Sequence, residues 1–541
     1  MPVDDGQQTP DLAAILQRLQ TLETTVVTLE ATVAQLRAEN AELRETATKQ
    51  DAIIRKYQAM LFGKKSEKGT PGPVAPPAED AHAPVPPLPA ETPTVHAPTG
   101  QRGQRRGTPG HGRRLYEELP PREVFHDVPE AERRCPTCGE ATVPCGTEDA
   151  TMVEWEVHVR RVIHKRRKYR CACACRGLVL RTAPAPPKLV PKCLLEVSAI
   201  ANLVVNKFLH GQPINRQLHE LALLCGVRFA PGTVVGVQDT VGTLLRPLYD
   251  ATLLHLRDAA HWHADETRWM QYGDETKHRW WLWLFAATDA AVFVLDPSRS
   301  RAVPRRVFGL DDADARHATG TLNCDRWKSY QGLPGIKTSF CWAHVRRDFT
   351  DLAKGYPRLL DTWTRAWVDR IGTLYHLTDQ RKLDEPGTEA FRQADATLRD
   401  HVADLARVRE AELVQAPPLL QDARKALVSL RRHWDGLTVF LDDPSVPLDN
   451  NEAERLLRTG VVGRKNFYGS GSLSSGALTE CAYTVLLTAA KNSLNPLTYL
   501  RAYLDACADN GGKVPDELPR FLPWTASAAD RATWTLPPPA A

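Results

Sequence analysis

The chain has no apolar run approaching the roughly 20 residues that a membrane span requires, so a membrane-spanning protein is not expected. Its N-terminus is acidic and polar, not basic and then apolar, and no secretory signal is read there. Neither sign of charge is in real excess. Lys and Arg number 69 against 65 Asp and Glu, and the resulting +4 over 541 residues is too small to name a partner. Cysteine is scarce outside one stretch: of twelve, six lie between Cys135 and Cys175. In a cytosolic chain such clustering points to metal and not to disulfides. What remains is a long chain, 42% hydrophobic, with room for several domains.

Charge is informative through its distribution. The run Gln101 to Arg114 is basic and glycine-rich, and Arg160 to Arg170 reads RRVIHKRRKYR with no acid. Arg160, Arg161, Lys165, Arg166, Arg167 and Lys168 are therefore candidate contacts to nucleic acid.

Residues 11 to 58 carry a heptad pattern. Position a holds Leu12, Leu19, Val26, Val33, Asn40, Ala47 and Ile54, and position d holds Ile15, Leu22, Leu29, Leu36 and Leu43. A narrow, sustained a/d stripe predicts a coiled coil, and valine at a with leucine at d favours two strands. Asn40 at an a position fixes register at some cost in stability. In a parallel pair Arg18 faces Glu23 and Glu39 faces Arg44, both attractive. The expected partner of this region is a second copy of the chain, in a homodimer or higher oligomer.

Leu61-Phe-Gly-Lys-Lys-Ser-Glu-Lys68 ends that helix, either as a basic last turn or as a phosphate contact. Residues 69 to 114 are rich in Pro, Ala, Gly and basic side chains and read as a disordered linker. Cys135-Pro-Thr-Cys138 is followed, after a β-like stretch, by Cys171-Ala-Cys-Ala-Cys175. Two such pairs predict a structural Zn²⁺ held by Cys135, Cys138, Cys171 and either Cys173 or Cys175. Cys145 is a secondary candidate.

Residues 194 to 245 read as helices. An apolar helix through Leu224, a turn at Gly226 and a second helix opening near Thr233 fit a helix-turn-helix, or simple helical packing. The second helix shows few side chains suited to reading bases.

From about 257 the pattern turns to strands. Trp262 to Met270, Arg279 to Thr288 and Ala291 to Leu295 are three in succession. Val303 to Gly309 suggests a helix; Gly320 to Cys324 and Lys337 to Trp342 are further strands. The run 345 to 440 is mostly helical, with an Arg-rich face that either holds DNA or is solvated. Asp265 lies inside an apolar strand, where a carboxylate is costly unless paired or metal-bound. Asp325 ends another strand. Leu448-Asp-Asn-Asn-Glu-Ala-Glu-Arg-Leu-Leu-Arg458 then begins a helix, with Asp449 and Asn450 as N-cap candidates. Two strand-borne Asp and a helix-borne Glu amid basic residues are what divalent-metal phosphoryl transfer needs. Phe467-Tyr-Gly-Ser-Gly-Ser472 is expected as a Gly/Ser loop near that site.

The segments HADETRW, CDRWKSY, CWAHVRRDF and DNNEAERLLRTGVVGRKNFYGSGS resemble the transposases of the insertion sequence 66 family, in the family's order, from LFGKKSEK to the LPW near 524. The resemblance implies a DDE-type transposase with an RNase H-like core. It places the acidic triad on Asp265, Asp325 and Glu454, with Glu452 at a variable position of the motif. It further implies two Mg²⁺ (or Mn²⁺) ions on that triad and phosphate contacts from Arg455, Arg458, Arg464 and Lys465. His344, Arg346 and Arg347 belong to a family motif without an assigned role, and Trp327 stands where the family usually has Tyr. The expected partners are the terminal inverted repeats of the element, target DNA and small accessory proteins, in the cytoplasm of a bacterium. A structure-selective nuclease on the same fold and a non-enzymatic DNA-binding regulator are the alternatives.

The expected fold is thus multidomain α+β. A coiled coil spans 1–68, a linker 69–114, a zinc-binding β module 115–190 and a helix-turn-helix-like domain 191–256. An RNase H-like α/β core spans 257–500 with a helical insertion at about 350–440, and a C-terminal arm follows at 501–541.

Overall fold

The structure, a computed structural model, describes residues 159–170 and 180–535 except 277, 312–316 and 416–418, with a few isolated positions before residue 142. Most of the expected coiled coil, the 61–68 segment, the linker and the cysteines from Cys135 to Cys175 lie outside the described residues. Within the heptad region Val26, Glu30, Val33 and Gln35 are helical.

Two short strands, β1 (Lys168–Arg170) and β2 (Leu180–Thr182), pair antiparallel and flank the Cys171–Cys175 segment. Three helices follow: α1 (Val197–Phe208), α2 (Ile214–Cys225) and α3 (Pro231–Leu256). Gly226 ends α2 in the left-handed region at φ 65°, as expected of a glycine C-cap. Leu203, Leu218 and Val234 form a small core between the three. The exposed side of the first turns of α3 carries Pro231, Gly232, Thr233, Val235 and Asp239, none of them cationic. The body of α3 buries Val237, Val241, Leu244, Leu245 and Leu248, so packing is what this helix visibly does.

Then comes a mixed five-stranded sheet, giving a mixed α+β fold: β3 (His261–Met270), β4 (Arg279–Ala286), β5 (Ala291–Asp296), β6 (Gly320–Cys324) and β7 (Ile336–Phe340), in the order β5-β4-β3-β6-β7. Short connections make β3, β4 and β5 an antiparallel meander. The crossover through α4 (Ala302–Val307) returns β6 parallel to β3, and β7 lies parallel to β6. β3 is therefore central.

Helices α5 (Trp342–Gly355), α6 (Asp361–Arg381), α7 (Glu389–Val414) and α8 (Gln421–Arg432) fill most of the insertion. Residues 344–432 belong to one compact unit and the sheet with its helices to another. Inside the first, Phe349 stacks on Trp367 at 5.1 Å, and Trp363 and Trp367 both donate to Glu412 at 2.8 Å. Its arginines largely meet acids: Arg365 pairs with Asp361, Arg381 and Arg399 with Asp395, and Arg431 with Glu410.

In the second unit the short helices α9 (Trp434–Leu437) and α10 (Val439–Asp442) lead to α11 (Asn451–Phe467), α12 (Leu473–Lys491), α13 (Pro496–Asp509) and α14 (Ala528–Trp534). α12 closes the β5 edge of the sheet. Glu480, Thr484 and Thr488, four residues apart on one face, accept the backbone N–H of Leu295, Phe293 and Ala291 at 2.8, 2.9 and 3.0 Å. An open sheet edge invites pairing with another chain, and these side chains cap it. α13 runs across residue 500, and the C-terminal arm docks through Trp534, edge-on to Tyr499 at 5.4 Å.

Candidate catalytic site

Strand register brings the two aspartates together. His263 of β3 lies beside Asn323 of β6 in the parallel pair, and two residues further along each chain are Asp265 and Asp325. Asp265 is inside β3, and Asp325 is the first residue past β6. The helix bearing Glu454 is tied to the same two strands. Asn323 donates to the carbonyl of Pro447 at 2.8 Å, and Asn450 donates to that of Ala264 at 2.7 Å. The Asn450 side-chain oxygen Oδ1 also lies 3.0 Å from Nδ1 of His263. Asn450 occupies the N-cap position but makes no side-chain cap, contrary to its composition-based assignment. Its amide is committed to β3, and Asp449 accepts from the Asn451 backbone instead, at 3.2 Å.

Electrostatics records the convergence. The Asp265 carboxyl is pushed up to about 7, first by burial and then by Glu266, Asp325 and Glu454, against one lowering hydrogen bond from the Glu266 N–H at 2.8 Å. Among the described residues no group of three or more His, Cys, Asp or Glu side chains is placed to hold a metal ion by itself. Mg²⁺ characteristically takes only one or two carboxylates together with phosphate oxygens and water. These donors fit such an ion.

The two glutamates of α11 point to different neighbours. Glu454 acts on Asp265, whereas Glu452 pairs with Lys491 of α12 and lies 3.6 Å from Nε2 of His263. The helix period separates positions two apart by about 200°.

A neighbour overlooked in the sequence is Glu266. Strand alternation turns it to the opposite face from Asp265, where its side chain is 1% exposed. Arg299 binds its Oε1 from Nε at 2.6 Å and from Nη2 at 2.5 Å, and Tyr330 donates to Oε2. An acid beside Asp265 on a central strand demands such partners, and that was the available signal. The Arg299 guanidinium also lies 3.9 Å from the Trp327 ring and 4.5 Å from the Trp281 ring. The Trp327 backbone N–H in turn donates to Asp325 Oδ1 at 2.9 Å.

The 467–472 loop sits away from the triad, which corrects the expected placement. Ser470 N–H donates to the Met270 carbonyl at 2.8 Å and Trp269 Nε1 to Ser470 Oγ at 3.0 Å, so the loop docks at the far end of β3. That end is roughly 17 Å along the strand from Asp265, at about 3.4 Å per residue. Gly469 is required there, because at φ 137° a Cβ would come 2.1 Å from the Met270 oxygen.

Arg455, Arg458 and Lys465 are exposed on α11 and meet no acid among the described residues; Arg464 is half-buried. Arg160, Arg161, Lys165, Arg166, Arg167 and Lys168 are all exposed along an extended segment entering β1. Beside the first cysteine pair, Arg134 and Ala141 form an antiparallel bridge, with Gly139 at φ 75°.

The family model for "Transposase IS66 family" matches residues 192–477, which contain β3, β6, α11 and all three acids. The chain belongs to that family. Membership makes it a transposase, a DNA-modifying protein with DNA as partner. Among its relatives in Sinorhizobium fredii (strain NBRC 101917 / NGR234), the uncharacterized protein y4jD is 27% identical over 456 residues, covering 79% of this chain and 85% of the relative. The uncharacterized protein y4qI is 27% identical over 426 residues, covering 74% and 75%. The uncharacterized protein y4hP is 25% identical over 462 residues, covering 78% and 80%. No helix among the described residues is long and apolar enough to cross a membrane.

Proposed function

We propose that this IS66 transposase cuts the ends of its element and joins the freed 3′-hydroxyls to target DNA at one site built on Asp265, Asp325 and Glu454. The observation that carries the reading is the meeting of three acids from β3, β6 and α11: burial first, and then the charges of Glu266, Asp325 and Glu454, push the Asp265 carboxyl up to about 7. The sheet order, with β3 central and β6 parallel beside it, supports an RNase H-like core of the DDE type. Two Mg²⁺ or Mn²⁺ ions held by these carboxylates would activate the attacking oxygen and stabilise the leaving one.

The chain's own residues account for the rest. Arg455, Arg458, Arg464 and Lys465 line α11 and offer phosphate contacts, and Arg160 to Lys168 offer a second basic strip. The Arg134–Ala141 bridge and the β1–β2 pair each flank a cysteine cluster, which supports one structural Zn²⁺ on Cys135, Cys138, Cys171 and Cys173 or Cys175. Pairing through the heptads would make the working species a homodimer or higher oligomer, in a bacterial cytoplasm, with small accessory proteins as further partners.

The test is a labelled element end in Mg²⁺. The intact protein cleaves and joins it, and replacing Asp265, Asp325 or Glu454 by Ala abolishes both steps while end binding persists. Cleavage without joining would make it a nuclease. Binding without either step, in the intact protein, would make it a regulator.

A further inference from the structure

The three acids stand on three elements that are joined in two different ways. Asp265 and Asp325 belong to neighbouring strands, and the parallel ladder of β3 and β6 fixes their spacing. A helix shares no such ladder with a sheet. Ala453 and Leu457 of α11 are buried, and a Cβ on Gly460 would come 2.8 Å from Leu282, so the helix packs closely. Apolar contact has no direction, however, and does not by itself stop α11 sliding along its axis. Two asparagine side chains, each 1% exposed, supply the directional ties. Asn323, two residues before Asp325, donates from Nδ2 to the Pro447 carbonyl at 2.8 Å. Asn450 donates from Nδ2 to the carbonyl of Ala264, next to Asp265, at 2.7 Å. The Asn450 carbonyl in turn accepts the N–H of Glu454 at 3.2 Å. Two hydrogen bonds thus lead from the residue beside Asp265 to the backbone of Glu454. Asn450 Oδ1 can only accept, and His263 Nδ1 at 3.0 Å supplies the donor that holds the amide this way round. Asn450 stands where a side chain usually caps its own helix, and it makes no cap. That stabilisation is given up for a bond to the strand carrying Asp265.

We propose that Asn323 and Asn450 are positioning residues: they hold the helix of Glu454 at one axial setting against Asp265 and Asp325, and so set how tightly the three acids take a divalent ion. The proposal deepens the transposase reading and rests on it for the ion. Both amides act through Glu454. A helix rises about 1.5 Å per residue, so a slip of one residue at Asn450 carries Glu454 the same distance along the axis. Metal–ligand distances are held to within about 0.2 Å, and a slip of that size takes Glu454 out of the ligand set. Groups that orient a ligand in this way tune metal affinity without touching the metal.

The experiment uses the full chain with Asn450→Ala, Asn323→Ala and, as a milder change, Asn450→Ser. Asn451→Ala is the control, since Asn451 is exposed and its side chain bonds Asp449. Mn²⁺ binding is measured without DNA by electron paramagnetic resonance. Asn450→Ala and Asn323→Ala should each weaken it about tenfold, Asn450→Ser should weaken it less, and Asn451→Ala should match the wild type. Added to Glu454→Ala, Asn450→Ala should weaken binding no further, because the ligand it positions is gone; a merely structural asparagine would show its full effect again. Hydrogen exchange is then followed without metal. The amides of 454–458 should exchange faster in Asn450→Ala, and those of 461–466 at the wild-type rate. Wild-type Mn²⁺ affinity in both Ala variants would overturn the proposal. So would a full further loss on top of Glu454→Ala. If Asn450→Ala does not fold, Asn323→Ala and Asn450→Ser carry the same comparisons. If the wild type binds no Mn²⁺, the metal reading fails and exchange decides the tie: faster exchange confined to 454–458 upholds it, and an unchanged rate removes it.

Discussion

Arg299 donates twice to the buried carboxylate of Glu266 while its guanidinium lies 3.9 Å from the ring of Trp327, the residue whose N–H binds Asp325. Its carbonyl accepts a further bond from Ser329 at 2.6 Å. One side chain thus neutralises the acid beside Asp265 and braces the loop that carries Asp325.

Arg299→Ala should therefore cost about 3–5 kcal/mol of stability, the usual penalty for stranding one member of a buried ion pair. Glu266→Gln should cost less, because the amide oxygen still accepts from Arg299 and the Tyr330 hydroxyl can turn to accept from the amide nitrogen. In variants that fold, the Mg²⁺ concentration needed for half-maximal cleavage should rise, since Asp325 is less well held. Denaturant melts and metal titrations check both, and an unchanged metal requirement would confine Arg299 to a structural role.

Metal-free stability should fall with rising pH on account of Asp265. Its carboxyl moves from an ordinary 3.8 to about 7 in the fold, so the folded state binds the proton more tightly than the unfolded one. Protonation then favours folding at low pH, and the advantage is lost as pH climbs from about 4 through about 7. In EDTA at pH 8, Asp265→Asn should melt higher than the wild type, and Mg²⁺ should stabilise it less. Equal melting curves at pH 8 would contradict the assignment.

The two glutamates of α11 should separate cleanly. Glu452→Ala removes the partner of Lys491, whose side chain is 11% exposed, and should cost about 1–3 kcal/mol while leaving cleavage intact. Glu454→Ala should abolish cleavage with little loss of stability. Melting and end cleavage of the two variants decide it; the reverse pattern would move the third acid to Glu452.

Purified protein should contain about one zinc per chain, with sulfur ligands at roughly 2.3 Å. Elemental analysis and X-ray absorption measure this, and separate Cys173→Ser and Cys175→Ser variants name the fourth ligand. Metal-free, fully folded protein would refute the site.

Residues 1–60 should sediment as a parallel dimer at micromolar concentration, and Asn40→Leu should raise its stability while loosening the choice of oligomer. A monomer under those conditions would rule the pairing out.

The strands of the core were legible because each is a short apolar run bounded by turn residues, and Gly320–Cys324 matches the expected span to the residue. The candidate acids were legible for a similar local reason: a carboxylate inside or at the end of such a run needs an explanation, and the motif around α11 singles out Glu454. Linear order has no access to what lies across a strand or a helix. The 200° between Glu452 and Glu454 becomes a division of labour only once Lys491 of α12 meets the first and Asp265 of β3 comes near the second. In the insertion, Arg381 meets Asp395 and Arg431 meets Glu410 only through packing between helices. Glu266 acquires Arg299, a partner 33 residues away. Short-range preferences set the elements and the kinds of chemistry on them. Which charges meet is settled by packing between elements far apart in the chain.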